Sequence, residues 1–316
     1  TVETGAGLGS GFSDEDYREA GASIGTAAAA WAGGLVVKVK EPLPEEYRYF
    51  RPDQILFTFL HLAANESLAA ELLARGVRAL AYEQVQLADG TLPLLAPMSE
   101  IAGRLGALMA AYYLQKTQGG PGLLPGGVPG VERARFTIIG AGTAGNAALR
   151  AAAGLGASVT ILDTKISRLA RLAEQSPFPV ETLFSCQSNL ERAVTAADAV
   201  ISTVLIPGAR APLVVTADMV RRMRPGSVIV DLAIDQGGSV ETITHSTTHD
   251  DPVFVACGVT HYAVANMPGT VPRTAATALA NATLPYVQLL ARHGLYALEI
   301  RPELRNALLR DSKNQQ

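Results

Sequence analysis

Two rhythms of apolar and polar positions divide the chain. LVVKVKEP (35–42) reads as a buried strand ending at Pro42, ILFTFLHLA (55–63) as a second apolar strand, ESLAAELLARG (66–76) as a helix closed by Gly76, and RALAYEQVQ (78–86) as a third strand. Strand, helix, strand in that order predicts a parallel α/β sheet. Ahead of it, SDEDYREAGASIGTAAAA (13–30) begins as an acidic, capped helix and passes through a turn into a second short helix. PMSEIAGRLGALMAAYYLQK (97–116) has apolar residues at helical spacing through Tyr113, with Ser99 as candidate N-cap. The Gly- and Pro-rich GGPGLLPGGVPG (119–130) follows as a loop, so the domain change is expected near this helix and loop.

The next unit, FTIIGAGTAGNAALRAAAGLGASVTILD (136–163), reads as strand, glycine turn, helix, strand. Strands are also expected at ADAVISTVL (197–205) and SVIVDLAID (227–235), with a further candidate at FVACGVTHYAV (254–264). TAATALANATLPYVQLLARHG (274–294) reads as a closing helix that Pro285 kinks or splits in two. A length of 316 residues accommodates two such α/β domains.

Composition narrows the function classes. With 48% hydrophobic and 17% charged residues the chain suits a compact, well-buried protein rather than a disordered one. A net charge of −3 gives no broad attraction to phosphate backbones, so nucleic acid is not an expected partner. Two cysteines, Cys186 and Cys257, make no disulfide framework and lack metal-ligand spacing; a reducing cytoplasm is the simplest compartment. The acidic, glycine-rich start is no signal peptide, and no apolar stretch reaches the roughly 18 to 20 residues of a membrane span, so no membrane is expected.

Gly140, Gly142 and Gly145 form G-x-G-x-x-G directly after the strand FTII and before an Ala-rich helix. Such glycines permit a tight turn, bring backbone amides to a pyrophosphate and let the helix pack close to the strand. Asp163 ends the following strand, eighteen residues beyond Gly145, where an acceptor for ribose hydroxyls is expected. That acid favours NAD over NADP; Arg168 could accommodate a ribose phosphate, or is a solvated charge at a helix start.

Three other places set polar residues where apolar strands end. Lys38 and Lys40 fall on one side of a strand, His61 lies inside an apolar run, and Asp235 closes VDLAID before two glycines. Ligands collect at the carboxyl ends of strands in open α/β sheets. Each residue alone also reads structurally: Lys40 as a solvated charge beside Glu41, His61 as a core histidine, Asp235 as a turn cap.

Taken together, LVVKVKEPLPEEY, ILFTFLHLAA, LPLLAPMSEIAGRL, IIGAGTAG, VLIPGARAP, VDLAIDQGG and YAVANMPGTVPRT resemble the alanine dehydrogenase family in content, order and spacing over nearly all of residues 1–294. Related groups to separate are the NAD-binding subunit of transhydrogenase and the saccharopine-type dehydrogenases; the FLHLAA string with His61 resembles the dehydrogenase side. The resemblance implies NAD-dependent oxidative deamination of L-alanine to pyruvate and ammonium. It places Lys40 on the substrate and His61 and Asp235 in proton transfer, with Met98 and Asn266 near substrate and nicotinamide. Asp163, Arg168, Ser185, Val204, Leu205 and Ser99 would contact the cofactor beside the three glycines.

The same resemblance implies two Rossmann-like domains: a discontinuous substrate domain (1–94 and 270–316) around a cofactor domain (95–269). It further implies a homo-oligomer, a hexamer. The family opens with a strand and helix carrying an Arg that grips the substrate carboxylate; with Thr1 first, this chain reads as N-terminally truncated, which would impair turnover. Ser239 and Val240 follow DQGG where Cys-Phe is commoner, and the polar SKNQQ tail reads as disordered. Alternative readings are a transhydrogenase-like NAD-binding subunit and an NAD-binding homologue that has lost catalysis.

Overall fold

A computed structural model describes residues 1–62, 65–204 and 210–310. The chain divides into two compact units, Thr1–Met98 with Val271–Gln316, and Ser99–Thr270.

The first unit opens with strand β1 (Val2–Glu3), helix α1 (Asp14–Glu19), β2 (Ile24–Gly25) and α2 (Ala27–Trp31). β1 and β2 pair in parallel. Ser13 caps α1 in a reciprocal box with Asp16, and the Thr26 hydroxyl caps α2, so one first-turn amide of each short helix is satisfied by the residue before it. Then come β3 (Leu35–Val37), β4 (Ile55–Thr58), α3 (Glu66–Ala74) and β5 (Arg78–Ala81). The three strands form one parallel sheet in the order β3-β4-β5.

β4, in the middle, is buried along its whole length. β3 is not the buried strand expected over 35–42: as an edge strand it leaves Val37 45% exposed, and Val39 beyond its end is 56% exposed. It also ends at Val37, so Lys38 and Lys40 lie in the bend beyond it rather than on one strand face.

Helix α4 (Ala96–Tyr113) carries the chain from one unit into the next. Ser99 is not its N-cap. The amides of Leu95 and Ala96 already bond to Leu92 O, so the turn at 92–95 leads straight into the helix, and Pro97 sits in the first turn where its missing N–H costs nothing.

In the second unit β6 (Arg135–Ile139), α5 (Thr143–Gly154), β7 (Ser158–Asp163), α6 (Ile166–Gln175) and β8 (Glu181–Phe184) alternate as right-sized βα units. After α7 (Gln187–Ala196) the chain returns to the other side of β6 with β9 (Ala199–Ser202), α8 (Ala217–Arg221) and β10 (Val228–Asp231). β11 (Val253–Ala256) and β12 (Val259–Tyr262) complete a seven-stranded sheet in the order β11-β12-β10-β9-β6-β7-β8.

All neighbours are parallel except β11 and β12. The single strand expected over 254–264 is therefore a hairpin. Cys257 (φ 54°) and Gly258 (φ 74°) make a two-residue turn with both φ positive, the geometry that matches the twist of paired strands. The strand expected to end at Asp235 ends instead at Asp231, and Asp235 lies in a following 3₁₀ turn, Ile234–Gln236.

The closing helix α9 (Pro272–His293) runs through Pro285 as one helix. Pro285 is exposed, so the Asn281 carbonyl it leaves unpaired faces water, while Leu279, Thr283, Tyr286 and Leu290 line the buried face. A short helix, α10 (Ala297–Ile300), follows. The tail SKNQQ lies outside the described residues.

Candidate active site

The glycine turn lies at the carboxyl end of β6, the central strand from which the sheet grows first one way and then the other. That reversal point is where open α/β sheets bind nucleotides. Gly140 has φ +101°, a conformation that opens the turn and that side chains disfavour. A Cβ on Gly145 would lie 1.8 Å from Gly140 O, so the helix meets the strand too closely for any side chain. A Cβ on Gly142 would meet nothing within 4 Å. Gly142 is also the N-cap residue of α5 and offers that helix no side-chain cap. A helix N-terminus with room beside its cap residue fits a dinucleotide pyrophosphate.

Asp163, 6% exposed at the end of β7, fastens this turn. One carboxylate oxygen accepts the Ala141 N–H at 2.7 Å and the other the Lys165 N–H at 2.7 Å. Arg168, on the exposed side, stands 3.5 Å from the same carboxylate. Its charge is thus directed at Asp163. A carboxylate offers about four lone-pair positions, so acceptor capacity remains for ribose hydroxyls. Ser185 donates its amide to Asp163 O at 3.0 Å, which places it at the same strand end.

Val204 follows β9 and is half-buried; Leu205 lies outside the described residues. Ser99 is half-buried in the first turn of α4. Thr203, which no local sequence signal marks, donates its hydroxyl toward Ile139 O (2.9 Å) and Gly140 O (3.0 Å), tying β9 to the glycine turn. Gly103 in α4 is equally unmarked, and a Cβ there would meet Ala144 O at 2.1 Å.

Asp235 and Asn266, separated by 31 residues, meet in the second unit: the Asn266 N–H is shared between both carboxylate oxygens at 3.1 and 3.2 Å. Both residues are exposed, and Asn266 takes φ +52°. Ahead of them Asp231, not foreseen, is 2% exposed and accepts the amides of Ala233 and Ser239 and the Ser239 hydroxyl. Burial pushes its carboxyl above the usual range, against the lowering effect of those donors. The Ser202 and Ser239 hydroxyls meet at 2.6 Å, so Ser239 extends a satisfied buried network.

In the first unit the two lysines part company. Lys38 pairs with Glu46, whose carboxylate also takes the Trp31 indole N–H at 3.3 Å, and its ammonium lies 5.6 Å from the Trp31 ring centroid. It is part of the local packing. Lys40 is half-buried, and its carbonyl accepts the Thr58 hydroxyl at 2.9 Å, which holds the loop against β4.

His61 has φ +48°, and the Glu83 carboxylate accepts its amide at 2.7 Å. The His61 Nδ1 lies 3.1 Å from Glu41 Oε2 and its ring stacks on Phe59. Partial burial opposes ionisation of Glu41, but its own backbone amide, His61 and Lys40 together hold the carboxyl below the usual glutamate range. Lys40, Glu41 and His61 therefore form one polar group in which cation, anion and imidazole are neighbours. Met98 is partly buried against the apolar cluster that contains Phe59 and Tyr82.

Two family models cover almost the whole chain: "Alanine dehydrogenase/PNT, N-terminal domain" matches residues 1–102 and "Alanine dehydrogenase/PNT, C-terminal domain" residues 106–314. The chain belongs to the alanine dehydrogenase/PNT family. Among members of this family, an alanine dehydrogenase of Staphylococcus haemolyticus is 56% identical over 294 residues, covering 93% of this chain and 79% of that protein. An alanine dehydrogenase of Bacillus subtilis is 55% identical over 295 residues, covering 93% and 78%. A solved L-alanine dehydrogenase superimposes with a TM-score of 0.91 at 51% identity over 97% of this chain and 85% of that one. A transhydrogenase from Sinorhizobium meliloti gives 0.80 at 28% identity over 97% and 86%. Within the alanine dehydrogenase/PNT family the chain thus stands nearer to those dehydrogenases than to that transhydrogenase.

Proposed function

We propose that this chain catalyses the NAD-dependent oxidative deamination of L-alanine to pyruvate and ammonium, and the reverse reductive amination. The observation that carries the reading is 55–57% identity with alanine dehydrogenases over 93% of the chain. The open glycine turn at the reversal point of the sheet supports it.

The glycine turn would hold NAD, which when bound would supply the acceptor for the hydride of the alanine α-carbon. The protein's own residues do the rest. The amides of the glycine turn and the N-terminus of α5 would hold the pyrophosphate and Asp163 the adenosine ribose, with Ser185, Val204, Ser99 and Arg168 as further contacts. The Lys40 ammonium pairs with the substrate carboxylate or carbonyl. His61 takes up and returns a proton at Nε2 as the imine is hydrated and collapses, and the Asp235 carboxylate stabilises the cationic imine or ammonium. Asn266, held by the hydrogen bond from its backbone N–H to the Asp235 carboxylate, would contact the nicotinamide or substrate, and Met98 would contact the substrate.

The family's oligomeric habit supports a homohexamer, to be read by analytical ultracentrifugation. The cytoplasm remains the compartment proposed from cysteine usage; no helix among the described residues is long and apolar enough to cross a membrane.

The test is NADH formation from NAD and L-alanine, followed by absorbance, beside NADH binding followed by fluorescence. Turnover with L-alanine is expected, and His61→Ala is expected to lower it by about 10²- to 10⁴-fold, the usual range for a general acid–base group, while NADH affinity stays the same. A folded chain that binds NADH and forms none from L-alanine would sink the catalytic reading.

A further inference from the structure

Two carboxylates grip His61 from different sides. Glu83 acts on the backbone: it accepts the amides of Leu60 (3.2 Å) and His61 (2.7 Å), which holds the chain in the left-handed turn that a non-glycine residue adopts only at a cost. Glu41 acts on the ring, with its Oε2 at 3.1 Å from Nδ1. Phe59, itself held edge-on by Tyr82, stacks on the imidazole at a centroid distance of 5.9 Å and an interplanar angle of 21°, so the ring has a defined plane as well as a defined partner.

We propose that Glu41 is a positioning residue that fixes His61 as the Nδ1–H tautomer and so keeps Nε2 available to carry the substrate's proton. This rests on the reading of His61 as proton carrier given above. An ionised carboxylate can only accept a hydrogen bond, so the hydrogen in the Glu41–His61 contact belongs to Nδ1. Glu41 is ionised over the working range: the effects that favour its charge, its own amide, His61 and Lys40, outweigh the partial burial that opposes it. In a neutral imidazole with Nδ1 protonated, the free lone pair is on Nε2.

The proton balance is closed. One proton taken at Nε2 turns the ring into an imidazolium paired with Glu41, and its return restores the neutral ring, while the Nδ1 proton stays in place throughout. Lys40, one residue before Glu41, belongs to the same charge group, so the carboxylate feels both the proposed substrate-binding cation and the proton carrier.

The full chain with ¹⁵N-labelled histidine reports this directly, since only five histidines contribute and His61→Gln identifies the signals of residue 61. Native protein should show the Nδ1–H pattern for His61, and Glu41→Ala should show a mixture of the two tautomers. Turnover in Glu41→Ala should fall by about 10- to 100-fold. That is less than the roughly 10⁴-fold cost of a forced wrong tautomer in a serine-protease triad, because a freed ring still samples the productive form. KM for L-alanine and the dissociation constant for NADH should change less than turnover, because the proposal has Glu41 act on the His61 ring rather than on either ligand.

Glu41→Gln, whose side-chain amide can donate to Nδ1 and so hold the ring as the Nε2–H tautomer, should shift the ¹⁵N pattern toward Nε2–H and cost at least as much rate as Glu41→Ala. Native turnover and an unchanged ¹⁵N pattern in Glu41→Ala, beside an inactive His61→Gln, would overturn the positioning role alone. So would a loss of rate accompanied by an equal loss of NADH binding in both Glu41 variants, which would make Glu41 a folding residue. Full turnover by His61→Gln would instead remove the proton-carrier reading, and the role of Glu41 with it.

Discussion

At the scale of single residues, the glycine turn separates two demands that a motif merges. Gly145 is required by the fold: its Cβ position lies 1.8 Å from Gly140 O. Gly142 is not, since a Cβ there meets nothing within 4 Å. Gly145→Ala is therefore expected to lower the urea midpoint and abolish NADH binding together, an overpacking cost on the order of 1–3 kcal/mol or more. Gly142→Ala should leave the midpoint unchanged and weaken NADH alone, because the added methyl group occupies the space left for the pyrophosphate. Equal midpoints for both variants would contradict this assignment. Asp163 shows the same double duty: read from sequence as a ribose acceptor, it also bonds the Ala141 amide and so shapes the turn that faces the cofactor.

At the scale of elements, α4 reaches the glycine turn indirectly. Gly103 lets the helix approach α5 so closely that a Cβ would meet Ala144 O at 2.1 Å and the Ala147 methyl at 2.9 Å. Ala144 is in the first turn of α5, directly after the Gly142 cap. Gly103→Ala should thus displace that turn, lowering thermal stability and raising the dissociation constant for NADH, although Gly103 lies outside the glycine motif. Unchanged NADH affinity in a destabilised variant would limit the contact to packing. The β11–β12 hairpin is a second case. Phe254 on β11 stacks with His261 on β12 at 5.0 Å and with His245 at 5.2 Å, an aromatic arrangement that a single-strand reading of 254–264 could not contain.

For the molecule as a whole, His261 couples stability to pH. It is fully buried; its Nδ1 donates to Val259 O at 2.9 Å and its Nε2 accepts from the Thr242 hydroxyl at 2.7 Å. Burial pushes its pKa below the ordinary value of 6.5, only partly offset by the Val259 bond. The unfolded chain then binds the proton more readily than the folded one, so the contribution to stability is complete above about pH 6.5 and is lost as pH falls below it. The difference in Tm between native protein and His261→Gln should accordingly shrink from about pH 7.5 to pH 5 as the native protein loses this term. Parallel Tm curves would refute it.

How much of this was legible in the sequence follows from range. The glycine turn, the strands around it, the acid at the end of β7, the capped start of α1 and the glycine that closes α3 were readable because strand periodicity, tight-turn glycines and helix-end signals act over a few residues. The candidate catalytic residues were named through whole-chain resemblance rather than local chemistry. Only the tertiary structure decided that β3 is an edge, that Lys38 is committed to Glu46 while Lys40 is not, and that Asp235 meets Asn266. Nothing local to His61 announces that Glu41 and Glu83, twenty and twenty-two residues away, hold its ring and its amide. Strand order and side-chain partnership are set by contacts between segments distant along the chain, and the identity of one residue does not record which distant group will fill its hydrogen-bonding capacity once the chain has folded.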